Sequence, residues 1–258
     1  MPIGIFDSGI GGLTVFKEIE KNFPLSDIYY IGDTARVPYG NKSQNTIIRY
    51  SIELASFLIR NFNIDTLVVA CNTASSFAMD KLKTYLNIPV IDVITPGVEN
   101  AINTTKNKKI GIIGTQATIR SGSYVEKLRQ KDKNIKIFSK ACPLFVPLIE
   151  EGRLKGKITR LIIKDYLDPL VEKGIDTLIL GCTHYPLLKE EILNLYPELN
   201  LVDSSNLISS YIKDFTYREK GQRRIFITDN SPAFKTLKNI IVPDIEFETV
   251  ELNEICSL

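Results

Sequence analysis

Tryptophan is absent from this sequence, and histidine occurs once, as His184, in 258 residues. With one imidazole and no C-x₂-C spacing among the four cysteines, a zinc site lacks its usual ligands, and no metal is expected. Four cysteines in a chain this long also fall short of a disulfide framework. In a reducing compartment they read as thiols, metal ligands or catalytic groups. No apolar run approaches the roughly 20 residues of a membrane-spanning helix. The N-terminus lacks the basic segment of a signal peptide, and Asp7 interrupts its first apolar stretch, so a cytoplasmic location is expected. No excess of charge is present: 32 Lys and Arg face 30 Asp and Glu, for a net charge of +2. The lysines are interleaved with acids, so neither nucleic acid nor a membrane surface is an expected partner. A Walker motif is missing, and "DSGIGG" at 7–12 fails the dinucleotide fingerprint because Thr14 stands where its third glycine belongs.

What the sequence does contain is a regular alternation. Short apolar runs lie at 3–6, 28–32, 66–70, 90–94, 110–114, 136–139, 177–181, 200–202 and 225–228. Helical periodicity separates them, as in Leu13, Phe16, Ile19 and Phe23, or Ile47, Leu54 and Leu58. Such βαβα alternation predicts mainly parallel sheets covered by helices on both faces. Hydrophobic residues make up 44% of the chain and charged residues 24%, enough for a core of ordinary size.

The pattern occurs twice. "IGIFDSG" opens one stretch and "IGIIGTQ" another; "DTLVVACNTA" ends the first and "DTLILGCTHY" the second. Each cysteine, Cys71 and Cys182, stands six positions after an aspartate, Asp65 or Asp176. Two similar doubly wound α/β domains follow. A boundary is expected near 94–100, where Thr-Pro-Gly interrupts the pattern. Residues 1–95 with the returning tail 210–258 form the first domain, on the Cys71 side, and residues 96–209 the second, on the Cys182 side.

Ligands of open α/β sheets bind beyond the carboxyl ends of the strands. The residues at those ends are Asp7 and Ser8, Asp33, Cys71, Asn72 and Thr73, Thr115, Cys182, Thr183 and His184, and Asp203. If the two units face each other, Cys71 and Cys182 regard one ligand from opposite sides. A thiol at a helix N-terminus or beside a cation is acidified, and a thiolate in a dry site is a strong base. One thiolate and one opposed thiol can invert an acidic carbon. His184, two positions from Cys182, can tune that thiol or shuttle its proton; the plain alternative is a satisfied structural histidine. The 7–12 loop can offer backbone N–H groups to a carboxylate, while Asp7 suits a proton or an ammonium group. "RVPYGNKS" at 36–43 reads as a connector, although Tyr39 and Gly40 could hold a substrate carboxylate through the backbone. Cys142 and Cys256 stand in unrelated contexts and read as structural and incidental.

At this point "IGIFDSGIGGLTV", "YIGDTARVPYG", "VVACNTAS", "FVPLIEEG" and "LILGCTHYPLL" resemble, in order and spacing, the signatures of the cofactor-independent glutamate racemases. The resemblance spans almost the whole chain and is weakest over 195–258. It implies two α/β domains related by a pseudo-twofold axis, with the active site in the cleft between them. It implies that Cys71 and Cys182 are the acid–base thiols, acting on D-glutamate and L-glutamate respectively. Asp7 would assist Cys71, and His184 with Glu150 would assist Cys182. Asp7, Ser8, Tyr39, Gly40, Asn72, Thr73, Thr183 and His184 would bind the substrate, glutamate, with no cofactor and no metal. The D-glutamate formed would feed peptidoglycan biosynthesis, and a homodimer would be in keeping with the family. The chain starts almost directly at its first strand, without the N-terminal extension of members activated by a cell-wall precursor, which puts such activation in question. The rivals are a related racemase acting on aspartate or another acid, a two-lobed binding protein, a redox protein pairing Cys71 with Cys182, and a pyridoxal enzyme. Paired thiols speak against the binding protein, missing C-x-x-C spacing against the redox protein, and the want of a motif lysine against the pyridoxal enzyme.

Overall fold

The computed structural model describes residues 2–205, 207–212 and 221–256; the stretches 213–220 and 257–258 of the tail expected to return to the first domain lie outside the described residues. Ten strands follow in chain order: β1 Ile3–Asp7, β2 Ile28–Gly32, β3 Thr66–Val69, β4 Val90–Asp92, β5 Lys109–Gly114, β6 Lys136–Ala141, β7 Thr177–Gly181, β8 Asn200–Asp203, β9 Arg223–Ile227 and β10 Phe247–Thr249. They form two sheets, ordered β10-β9-β2-β1-β3-β4 and β6-β5-β7-β8. Every pairing is parallel. The order β2-β1-β3-β4 in one sheet repeats as β6-β5-β7-β8 in the other, so the sequence repeat is a repeat of topology. Strands β9 and β10 extend the first sheet beyond β2.

Parallel sheets need cover on both faces, and β1, β2, β3 and β7 are buried along their whole length. Along β1 the side chains alternate: Ile3 and Ile5 pack with the helix Leu13–Asn22, while Phe6 packs with the helix Gln44–Phe62 on the opposite face. A glycine sits at the same place in each central strand because the connection before the next strand lies close on it. A Cβ on Gly4 would come within 2.4 Å of Ile64, and one on Gly111 within 2.5 Å of Ile175. Both isoleucines directly precede the aspartates that mark the repeat.

Two elements differ from the sequence expectation. Thr-Pro-Gly at 95–97 opens the helix Ile94–Thr104 instead of interrupting the pattern. Pro96 falls in the first turn, where its missing N–H has no partner to lose, and Asp92 accepts the Thr95 N–H at 2.7 Å. That helix packs Ile94, Val98 and Ala101 against β5 and β7 of the second sheet. Strand β10 has no counterpart among the expected runs. It is three residues long at a sheet edge, with Phe247 half-buried and its two neighbours exposed, so it carries little apolar signal.

Candidate active site

In both sheets the strand order reverses about the central strand, and the loops leaving the carboxyl ends at that point form a crevice. Here the two crevices face each other across one narrow cleft. The first sheet contributes Ser8 after β1, Tyr39 and Gly40 after β2, and Cys71, Asn72 and Thr73 after β3. The second contributes Thr115 after β5 and Cys182, Thr183 and His184 after β7. Val37, Pro38 and Val146 complete the lining, which among the described residues includes neither lysine nor arginine. Asp7 and Glu150, both singled out from the sequence, lie one layer behind the cleft wall.

Cys71 caps the helix Asn72–Phe77, its Sγ accepting the Ala74 N–H at 3.4 Å and lying 3.6 Å from Ser8 Oγ. The acidification that a helix N-terminus can give a thiol is overcome here. Burial, and then the nearby Asp7 charge, push Cys71 up to about 12, outweighing the pull of Ala74 and Ser8. Asp7 is fully buried. Its Oδ2 accepts the Gly9 N–H at 2.9 Å, and its Oδ1 accepts the Thr183 hydroxyl at 3.1 Å. Burial raises the Asp7 carboxyl as well, against the pull of His184 and these hydrogen bonds.

The other thiol has different company. Cys182 Sγ lies 3.9 Å from His184 Nδ1, and His184 Nε2 lies 3.1 Å from Glu150 Oε1. Burial pulls the imidazole down, but Cys182 and Glu150 pull harder the other way, and it rises to about 10. Its register with Glu150 is fixed by aromatic packing: Phe145, on the helix Phe145–Glu150, meets Tyr185 edge-on at 5.1 Å, and the Tyr185 hydroxyl donates to the Cys142 carbonyl. Cys142 itself is buried away from the cleft, and Cys256 lies beside Glu53, 3.6 Å from its carboxylate. All four cysteines are free thiols.

Polar contacts stitch the two sheets together at the site. Asn72 donates to Tyr124 at 2.7 Å and Ser204 at 2.8 Å, and Thr73 meets Thr115 and Thr118 at 3.0 and 3.1 Å. Asn72 Oδ1 is buried with no protein partner, a condition that costs about 1–3 kcal/mol unless a ligand donor meets it. Glycines permit the closest approaches: a Cβ on Gly11 would lie 2.5 Å from Thr183 Oγ1 and 2.7 Å from the His184 backbone nitrogen, and one on Gly40 would lie 2.4 Å from Thr115. Gly11→Ala is expected to wedge this seam, lowering stability by about 1–3 kcal/mol and cutting turnover by more than that loss of folded protein explains. Thermal melts and initial rates of the same preparation check it; full turnover would show that the seam tolerates the methyl group.

Sequence reasoning found Thr115 as a strand-end residue but gave it no binding role, and it missed Thr118, Tyr124 and Ser204. These residues matter through bonds across the seam, and no local pattern marks them.

Opposed thiols on a duplicated parallel α/β frame define the class of the molecule. The chain belongs to the Asp/Glu/hydantoin racemase family, whose family model matches residues 11–208, and within it to the glutamate racemases. It is 62% identical over 260 residues to the glutamate racemase of Sulfurihydrogenibium sp., covering 100% of both chains. A crystal structure of a glutamate racemase isoform from Bacillus anthracis superposes with a TM-score of 0.90 at 37% identity, covering 97% of each chain. The glutamate racemase of Francisella tularensis, solved in complex with D-glutamate, gives a TM-score of 0.86 at 39% identity and covers 98% of each chain.

Proposed function

We propose that this protein interconverts L-glutamate and D-glutamate without a cofactor, using Cys71 and Cys182 as its two proton-transferring groups. One observation carries the reading: two free thiols, on equivalent strand ends of the two sheets, line a single cleft, each with its own partners. The burial of Cys71 beside Asp7 favours a thiol there as the cycle begins. In the L-to-D direction, Cys182 removes the α-hydrogen and Cys71 protonates the opposite face of the carbanion. The D-to-L direction reverses the roles. Asp7 serves Cys71, and His184 with Glu150 serves Cys182.

Among the described residues no lysine or arginine lines the cleft, so hydroxyl and backbone donors meet the substrate carboxylates. Ser8, Thr73, Thr183 and the backbone at Tyr39 and Gly40 supply these donors. Asn72 Oδ1 receives the α-ammonium group, which gives that buried oxygen the donor it lacks in the protein. The two domains are residues 1–95 with 210–258, and 96–209. The product is D-glutamate for peptidoglycan biosynthesis, made in the cytoplasm by a homodimer.

The test is direct. Pure protein, with nothing added, is incubated with single enantiomers of glutamate and, separately, aspartate, and optical rotation is followed. Rotation decays to zero from both glutamate enantiomers and persists with aspartate. Persistent rotation with glutamate overturns the proposal, and decay with aspartate alone reassigns the substrate.

A further inference from the structure

A second cavity, of about 520 Å³ and open to solvent, lies directly behind the cleft. Val37 lines both spaces and so forms part of the wall between them. Gly9 completes the wall: a Cβ placed on it would lie 3.1 Å from Val37, 3.6 Å from His184 Cε1 and 3.7 Å from Glu150 Oε1. His184 lines the cleft, whereas Glu150 lines the second cavity. The 3.1 Å contact between them therefore passes through the wall. Glu150 keeps 29% of its side chain exposed, while the His184 side chain is 2% exposed. Cys71 has no equivalent exit, because Asp7 is fully buried and both its oxygens are occupied.

We infer that Cys182, His184 and Glu150 form a proton relay that opens on this second cavity and resets the thiols of the free enzyme between turnovers. The inference rests on the two-thiol reading proposed above. After L-glutamate has become D-glutamate, Cys182 holds the proton and Cys71 is the thiolate, the reverse of what the next L-glutamate needs. Water is a poor acceptor for a thiol proton, so Cys182 needs a built-in base. The relay runs through the neutral imidazole that carries its proton on Nε2: the Cys182 Sγ proton passes to His184 Nδ1, the Nε2 proton passes to Glu150 Oε1, and Glu150 releases it to water in the second cavity. Cys71 meanwhile takes one proton from water in the emptied cleft, and its raised affinity for protons makes that step easy. One proton leaves and one enters, and no electrons move.

The experiment follows net racemisation of L-glutamate over a wide concentration range in the wild type, Glu150→Gln and Glu150→Ala. When substrate binds faster than the free enzyme resets, net rate stops rising and then falls. In Glu150→Gln that turning point should move to a substrate concentration about tenfold lower or more, the scale on which one general base matters. Formate, small enough to enter the open cavity, should move the turning point of Glu150→Ala back up. A residue that only positions His184 would scale the rate equally at every concentration, with no response to formate; either result overturns the relay. A wild type that racemises neither enantiomer defeats the two-thiol reading instead, and the relay with it.

Discussion

Cys71→Ala and Cys182→Ala are each expected to abolish interconversion of the glutamate enantiomers. Inversion needs a base on one face of the α-carbon and an acid on the other. The two thiols leave different sheets to reach the same cleft, so neither can serve the other's face. Loss of one general acid or base typically costs about 10²–10⁴-fold, and here no neighbour replaces it. Asp7 is buried with both oxygens bonded, and His184 stands on the Cys182 side. Cys142→Ala serves as the control and keeps most activity, since that thiol packs in the core away from the cleft, where it donates to the Lys140 carbonyl. The measurement is the rate of rotation loss from each enantiomer, with circular dichroism to confirm folding. Near wild-type racemisation by Cys71→Ala would end the two-thiol account.

What could be read from the sequence follows from which physical signals are local. Buried parallel strands are near-continuous apolar runs, and nine of the ten strands here announce themselves that way; β10, exposed at an edge, does not. The repeated strand ends at Cys71 and Cys182, with the rule that α/β ligands bind at such ends, were enough to place both thiols, Ser8, Asn72, Thr73, Thr183 and His184 at one cleft. Proline misled at Pro96, because its effect depends on where in a helix it falls, and it falls in the first turn. The state of Cys71 was illegible for a related reason. A helix N-terminus can be read from sequence, but the burial and the Asp7 charge that outweigh it arise only when distant segments pack. Tyr124 and Ser204 reach the site solely through Asn72, across the seam between the sheets, so their roles exist only in three dimensions.

In heavy water, D-glutamate formed from L-glutamate is expected to carry deuterium at its α-carbon, while recovered L-glutamate carries almost none early in the reaction. The argument rests on the valence of sulfur. A thiol holds one proton, unlike an ammonium base with three that can scramble. Cys71 and Cys182 lie on separate sheets and are 4% and 7% exposed, so within the closed complex each trades protons only with the α-carbon and its own neighbours. Cys71 enters the cycle deuterated by solvent and delivers that deuterium to the new enantiomer. Cys182 takes protium from the substrate, and if the carbanion returns to L-glutamate, Cys182 gives back the same protium. A single base that swings between faces would return protium to the product. A base with several exchanging protons would label substrate and product alike. Proton NMR of the α-position in both enantiomers at low conversion separates the three cases. Protium retained in the D-product, or deuterium accumulating in recovered L-glutamate as fast as in product, would show that the thiols repeated at the ends of β3 and β7 do not divide the two faces of the substrate between them.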